Sequence, residues 1–162
     1  MALTKQDIIE LLDSNKIKYE IVEHKAVFTI DEMLECGLPH PEQIAKNLFV
    51  RDDKKQKYYL ITCLEDKKMN LKDFRNQQGT RPLSFASEDD LMDKLGLYRG
   101  AVTPFGLLNN EPHDVIFFLD KDFENKTMGI HPCDNTATVY VSCRDVVKLV
   151  KKHGNEVHFV KL

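Results

Sequence analysis

Apolar positions along the chain fall into short periodic groups separated by polar stretches, and the period of each group predicts an element. Thr4-Lys5-Gln6-Asp7 has the form of a capping box with Asp in the usual Glu position, and Ile8, Ile9, Leu11 and Leu12 follow at helical spacing. A first amphipathic helix is expected to end near Lys16. Residues 19–22 alternate like a short strand, and Thr29-Ile30-Asp31-Glu32 opens a second helix that runs through Met33 and Leu34 to a stop at Gly37. Pro39-His40-Pro41 breaks the chain, and residues 42–45 are expected to form a helical turn.

Residues 48–51 and 58–63 flank a polar stretch and predict a hairpin with a solvated tip, with Lys46 at the entrance to its first strand. Asn70 is placed to cap a helix carrying Leu71 and Phe74, and Ser87 to cap another that ends at Gly96. Residues 81–85 read as extended between them, and Thr103-Pro104 has the order of a helix start. The run Val115-Ile116-Phe117-Phe118-Leu119 predicts a strand buried on both faces, the candidate for the sheet centre. Residues 127–130 and 136–142 predict further strands. Ser142-Cys143-Arg144-Asp145 reads as a cap for a helix ending at Gly154, and residues 156–160 as a closing strand. Helices and strands intermingle without regular alternation, so the expected fold is α+β: a single domain over residues 1–162 with a mixed, mainly antiparallel, curled sheet flanked by short helices.

Composition narrows the class. At 162 residues, 42% hydrophobic and 30% charged, with only 7 Gly and 6 Pro, the chain suits one globular domain and excludes collagen-like or disordered classes. No apolar run approaches the ~20 residues of a membrane helix, and the first residues lack a secretory signal's apolar core. A cytoplasmic protein without a membrane partner is therefore expected. The 23 basic and 26 acidic residues give a net charge of -3, which disfavours broad DNA binding and requires any polyanion to be held by local cationic spots. Cys36, Cys63, Cys133 and Cys143 lack C-x-x-C spacing and read as reduced thiols.

Candidate chemistry is sparse. His131 with Cys133, and Cys36 with His40, lack the four closely paired ligands of a structural metal site, so no metal site is expected. No phosphate-binding loop or dinucleotide fingerprint occurs. A nucleophilic thiol would require the fold to bring a cysteine to a histidine. The unusual segments are residues 45–49 around Lys46, residues 100–104 from Gly100 to Pro104, and residues 129–136 around His131. Each has an ordinary reading alone: a solvated lysine, a turn glycine, a hydrogen-bonded loop histidine.

Together, the Glu23-His24 region, Lys46-Asn47-Leu48-Phe49, the G-x-x-x-P stretch from Gly100 to Pro104 and residues 131–138 resemble the bacterial YbaK/prolyl-tRNA synthetase-associated editing-domain family. Val102-Thr103-Pro104-Phe105-Gly106-Leu107-Leu108-Asn109 looks most like the branch of free-standing Ala-tRNA(Pro) deacylases. Asn110 departs from it, where an acidic residue is expected. The resemblance implies hydrolysis of the ester between an amino acid and the terminal ribose of mischarged tRNA(Pro), with no cofactor and with prolyl-tRNA synthetase as a further candidate partner. A cysteine-removing enzyme of the same family and a noncatalytic module that binds a tRNA end or a free amino acid are the alternatives.

By the same likeness, Lys46, Gly100 and His131 are the expected catalytic residues. Asn47, Ala101, Val102, Thr103, Pro104, Ile130 and Asn135 are expected to bind substrate. Lys46 would hold the terminal phosphate or the ester region by charge-assisted hydrogen bonds. Main-chain groups near Gly100 and Ala101 would line the aminoacyl pocket, with Thr103 and Pro104 fixing the loop. The roles of Asn47, His131 and Asn135 among adenosine, water and carbonyl stay open, and a ribose hydroxyl of the substrate is a further candidate participant.

Overall fold

The computed structural model describes residues 2–162. Helix α1 (Lys5–Ser14) begins as its sequence demands: Thr4 accepts from the Asp7 amide and the Asp7 carboxylate accepts from the Thr4 amide. Those bonds, chiefly that to the Thr4 amide, hold the Asp7 carboxyl below its ordinary value. Ile8 and Leu12, one turn apart, are buried. Strand β1 (Tyr19–Glu23) and helix α2 (Ile30–Glu35) follow, the latter capped by Thr29, which accepts from the Glu32 amide. The turn expected over residues 42–45 is a single 3₁₀ turn at Pro41–Gln43.

Strand β2 (Ala45–Asp52) and strand β3 (Tyr58–Leu64) form the antiparallel hairpin. β2 begins three residues before the expected apolar run, because Lys46 and Asn47 are strand residues whose polar character hides the strand's start. Helix α3 (Leu71–Gln78), strand β4 (Leu83–Phe85) and helix α4 (Glu88–Leu95) come next, α3 and α4 capped by Asn70 and Ser87. A 3₁₀ turn at Pro104–Asn109, capped by Thr103, leads to strand β5 (Val115–Asp120). After it stand a 3₁₀ turn at Lys121–Phe123, strands β6 (Thr127–Ile130) and β7 (Ala137–Ser142), helix α5 (Cys143–His153) and strand β8 (Val157–Val160).

Two sheets result. One has the order β1-β7-β6 and is antiparallel throughout; the other has the order β4-β2-β3-β5-β8, antiparallel up to β3 and parallel beyond it. Among the described residues, a parallel bridge between Ile44 and Gly129 joins them. The middle of the larger sheet is β3, with β5 beside it. Both strands are buried on two faces, so burial alone could not tell the second interior strand from the middle one.

Side-chain alternation in the larger sheet feeds two cores. Phe49, Leu60, Phe117 and Leu119 face the main core with α1, α4, α5 and the smaller sheet, whereas Val50, Tyr59, Ile61 and Phe118 pack against Phe74 of α3. A third cluster of Val27, Met33, Ile44 and Tyr140 lies under α2. Ser142 does stand at the N-cap of α5, but its side chain makes no capping bond, and the Cys143 amide is satisfied by the Lys126 carbonyl at 2.9 Å. The departure at Asn110 also has a structural reason. This fully buried amide donates to the Lys94 carbonyl and Asp114, and accepts from the amides of Val115 and Asn155, a double role closed to a carboxylate. Among the described residues, no helix is long and apolar enough to cross a membrane.

Candidate functional site

An open cleft of about 290 Å³ lies between the segment that enters α2, the start of β2 and the loop at Gly100. Lys46, Asn47, Gly100, Val102 and His131 all line it, with Leu48 beside them. Ala101, Thr103, Pro104, Ile130 and Asn135 do not. They are buried behind the wall, where they shape the cleft without facing it. The strand pairing leaves an opening here as well. β4 pairs with β2 only from Val50 onward and the bridge to β6 is at Ile44, so residues 46–48 keep one strand neighbour, β3, among the described residues.

Gly100 is the geometric pivot of the wall. Its φ is +92°, and a Cβ there would come 2.9 Å from Phe28 Cδ1, 3.1 Å from the Val27 carbonyl and 3.3 Å from Asn135 Nδ2. Asn135 fastens the two sides of this contact. Its Nδ2 donates to the Val27 carbonyl at 2.6 Å, its Oδ1 accepts from the Tyr98 hydroxyl at 2.9 Å, and its carbonyl accepts from the Val27 amide at 3.3 Å. A buried amide thus ties the segment before α2 to the loop before Gly100.

His131 presents a defined ring nitrogen. Its Nδ1 lies 2.9 Å from the Ala137 carbonyl, which only accepts, so Nδ1 carries the proton and Nε2 keeps the lone pair. Burial, aided by neighbouring His24, pushes the imidazole below its ordinary value even though the Ala137 bond works the other way. The ring is therefore neutral at neutral pH. His24, with its ring centroid 6.1 Å away, is fully engaged, Nδ1 with the Lys25 carbonyl and Nε2 with the Thr138 hydroxyl.

The Lys46 ammonium donates to the carbonyl of Lys67, on the loop after β3. That loop is anchored in turn: Lys67 Nζ pairs with buried Asp120 at 2.5 Å and Asp122 at 2.6 Å, and donates to the Leu162 carbonyl at 3.0 Å. Burial opposes the charge of Lys67, but the two carboxylates outweigh it and raise its pKa above the ordinary value. Asn47 Oδ1 accepts from the buried Thr62 hydroxyl at 2.5 Å, so its NH₂ group is what Asn47 offers to the cleft.

Sequence reasoning missed the other wall, Val27, Phe28, Thr29 and Met33. The sequence shows only an aromatic residue directly before the Thr29 cap; that Phe28 is 56% exposed, a large ring left in solvent, is decided by the fold. Three of the four cysteines are poorly placed for thiol chemistry. Cys63, Cys133 and Cys143 are buried, and burial pushes all three thiols up, the last two to about 12.

The family model and the named relatives that match this chain place it in the class of aminoacyl-tRNA hydrolases. More particularly, the chain belongs to the aminoacyl-tRNA editing domain family, whose model matches residues 24–149. It is 42% identical over 159 residues to the prolyl-tRNA editing protein ProX of Acetoanaerobium sticklandii, covering 98% of this chain and 97% of that one. It is 35% identical over 161 residues to prolyl-tRNA synthetase associated domain-containing protein 1 of Mus musculus, covering 94% and 92%. The fold matches a crystal structure described as a candidate trans-editing enzyme for prolyl tRNA synthetase, with a TM-score of 0.71 at 19% identity, over 100% of this chain and 99% of that one.

Proposed function

We propose that this protein is a trans-editing hydrolase that removes the amino acid from mischarged tRNA(Pro), with alanine as the preferred residue, and that its whole chain works as one editing domain. The observation that carries this reading is the convergence of Lys46, Gly100 and His131, from three distant segments, on one open cleft. The kinship with the prolyl-tRNA editing protein ProX supports the tRNA. The size of the cleft suits an aminoacyl group and its ribose while the rest of the tRNA stays outside. Prolyl-tRNA synthetase is the source of the substrate, since a site built for proline also admits the smaller alanine.

Water attacks the ester carbonyl, the bond from acyl carbon to ribose oxygen breaks, and that oxygen takes a proton, releasing a free amino acid and intact tRNA. Lys46 pairs with the terminal phosphate or the ester region, and the Lys67 carbonyl holds its ammonium near the cleft until the substrate arrives. His131 Nε2, an acceptor by its tautomer, takes a proton from the water or from the substrate's ribose hydroxyl. The loop at Gly100 fits the acyl carbonyl, and the Asn47 NH₂ group orients it. Val102 and Leu48 bound the side-chain space. Phe28 offers an exposed ring on which the terminal adenine stacks.

Deacylation of Ala-, Cys-, Ser- and Pro-tRNA(Pro) by the purified protein tests this reading. The alanyl ester should be cleaved fastest and the prolyl ester spared. Faster cleavage of the cysteinyl ester assigns the alternative substrate, and saturable binding without cleavage of any ester replaces the enzyme with a binding module. Lys46→Ala should fold normally and lose at least about tenfold in kcat/KM, the scale of a lost charge-assisted hydrogen bond.

A further inference from the structure

Away from the cleft, and independent of the editing reading, Glu111, His113 and His153 bring one ligand atom each to within 4.8 Å of one another. Glu111 and His113 lie on the loop between the Pro104–Asn109 turn and β5, and His153 is the last residue of α5. Forty residues separate the two histidines in the chain, so no motif spacing announces them. We propose that these three side chains bind a divalent cation of the zinc type, with two imidazoles, one carboxylate and a water in the remaining position.

The ring of His153 is prepared for this. Asn155, buried, donates through Nδ2 to Asn110 Oδ1 at 2.9 Å and to the Val115 carbonyl at 3.0 Å, which leaves its Oδ1 facing His153 Nδ1 at 2.8 Å. An amide oxygen only accepts, so Nδ1 carries the proton and the lone pair lies on Nε2. A ring proton held by an oxygen acceptor, with the other nitrogen free, is the outer-shell arrangement of metal-binding imidazoles.

His113 is held by its backbone and by packing of its ring. It stands at φ +55°, in the left-handed region that histidine enters more readily than most side chains, and its amide donates to the Asn110 carbonyl at 3.0 Å. Its ring meets that of His153 edge to face, with centroids 4.7 Å apart at 85°, and packs on Gly154, where a Cβ would approach it to 3.1 Å. Glycine at the end of α5 thus makes room for the ring. The carbonyl end of the helix favours a cation, and Glu111 adds a negative charge against the exposed ammonium groups of Lys151 and Lys152. Two nitrogen donors select zinc-type metals over calcium or magnesium, which take oxygen ligands. The ion would clasp the loop that enters β5 to the turn between α5 and β8.

The full chain, freed of metal by chelation, is titrated with Zn²⁺ against a chromophoric chelator and with Co²⁺ followed by its visible absorption. One equivalent of Zn²⁺ should bind and raise Tm. His113→Asn, a residue that tolerates the left-handed backbone, and His153→Gln should each weaken Zn²⁺ by about tenfold or more, and Glu111→Gln should alter the Co²⁺ spectrum. His158→Gln, at an exposed histidine elsewhere, should change nothing. Absence of Zn²⁺ binding, or binding equal in all four variants, overturns the proposal. None of these readouts involves deacylation, so this proposal and the editing reading fail separately.

Discussion

Gly100→Ala tests the wall of the cleft, and the structure gives its size. At φ +92° a non-glycine residue carries a backbone penalty of about 1–2 kcal/mol. The added methyl would also stand 2.9 Å from Phe28 Cδ1 and 3.1 Å from the Val27 carbonyl. Phe28 is exposed and can swing aside, but the Val27 carbonyl is held by Asn135 at 2.6 Å, so the loop itself must shift. Together these effects destabilise the fold by about 1–3 kcal/mol, and a domain of this size loses roughly 2–4 °C of Tm per kcal/mol. A displacement of about 1 Å at a reacting centre costs on the order of 100-fold in rate. Deacylation kinetics and thermal melting of the variant should therefore show a modest drop in Tm beside a large fall in kcat/KM. A kcat/KM within about twofold of wild type, with Tm lowered as expected, would refute the idea that this glycine sets the shape of the substrate wall.

Other residues give separate readouts. Asn135→Ala strips the buried Val27 carbonyl of its donor and should lower stability by about 1–3 kcal/mol, read by denaturant unfolding; a variant as stable as wild type removes Asn135 as the fastener of the wall. His131 titrates below its ordinary value in the folded protein, so as pH falls through about 6.5 the unfolded chain takes up a proton that the folded ring refuses, and stability declines with it. His131→Asn should flatten that part of the Tm–pH curve, and an unchanged slope argues against a neutral folded imidazole. Phe28→Ala should leave Tm unchanged because the ring is exposed, yet raise KM about tenfold, as base stacking is worth about 1–3 kcal/mol; an unchanged KM dismisses the stacking role.

Local chemistry made most of the fold legible before any coordinates. Thr4, Thr29, Asn70 and Ser87 announce helices because a capping bond lies within three or four residues of its partner. The largely apolar runs at residues 58–63 and 115–119 announce interior strands because burial is written in the side chains themselves. The hidden start of β2 shows where that signal fails, since Lys46 and Asn47 serve the cleft and break the apolar pattern. The family resemblance carried by residues 45–49, 100–104 and 129–136 also singled out Lys46, Gly100 and His131, yet it did not separate Val102 on the cleft surface from Ala101 and Thr103 buried behind it.

What the tertiary structure alone decided is everything that depends on distant segments meeting. The tautomer of His131 rests on the carbonyl of Ala137, the wall beside Gly100 on Asn135 reaching Val27, and the stance of Lys46 on the loop anchored by Asp120. The imidazole pair at His113 and His153 exists only because α5 ends against the loop that enters β5. Periodicity and capping act over one or two turns of chain and are carried by the sequence itself. Proximity across the fold is fixed by how the sheets and helices close on one another, and no local pattern encodes it.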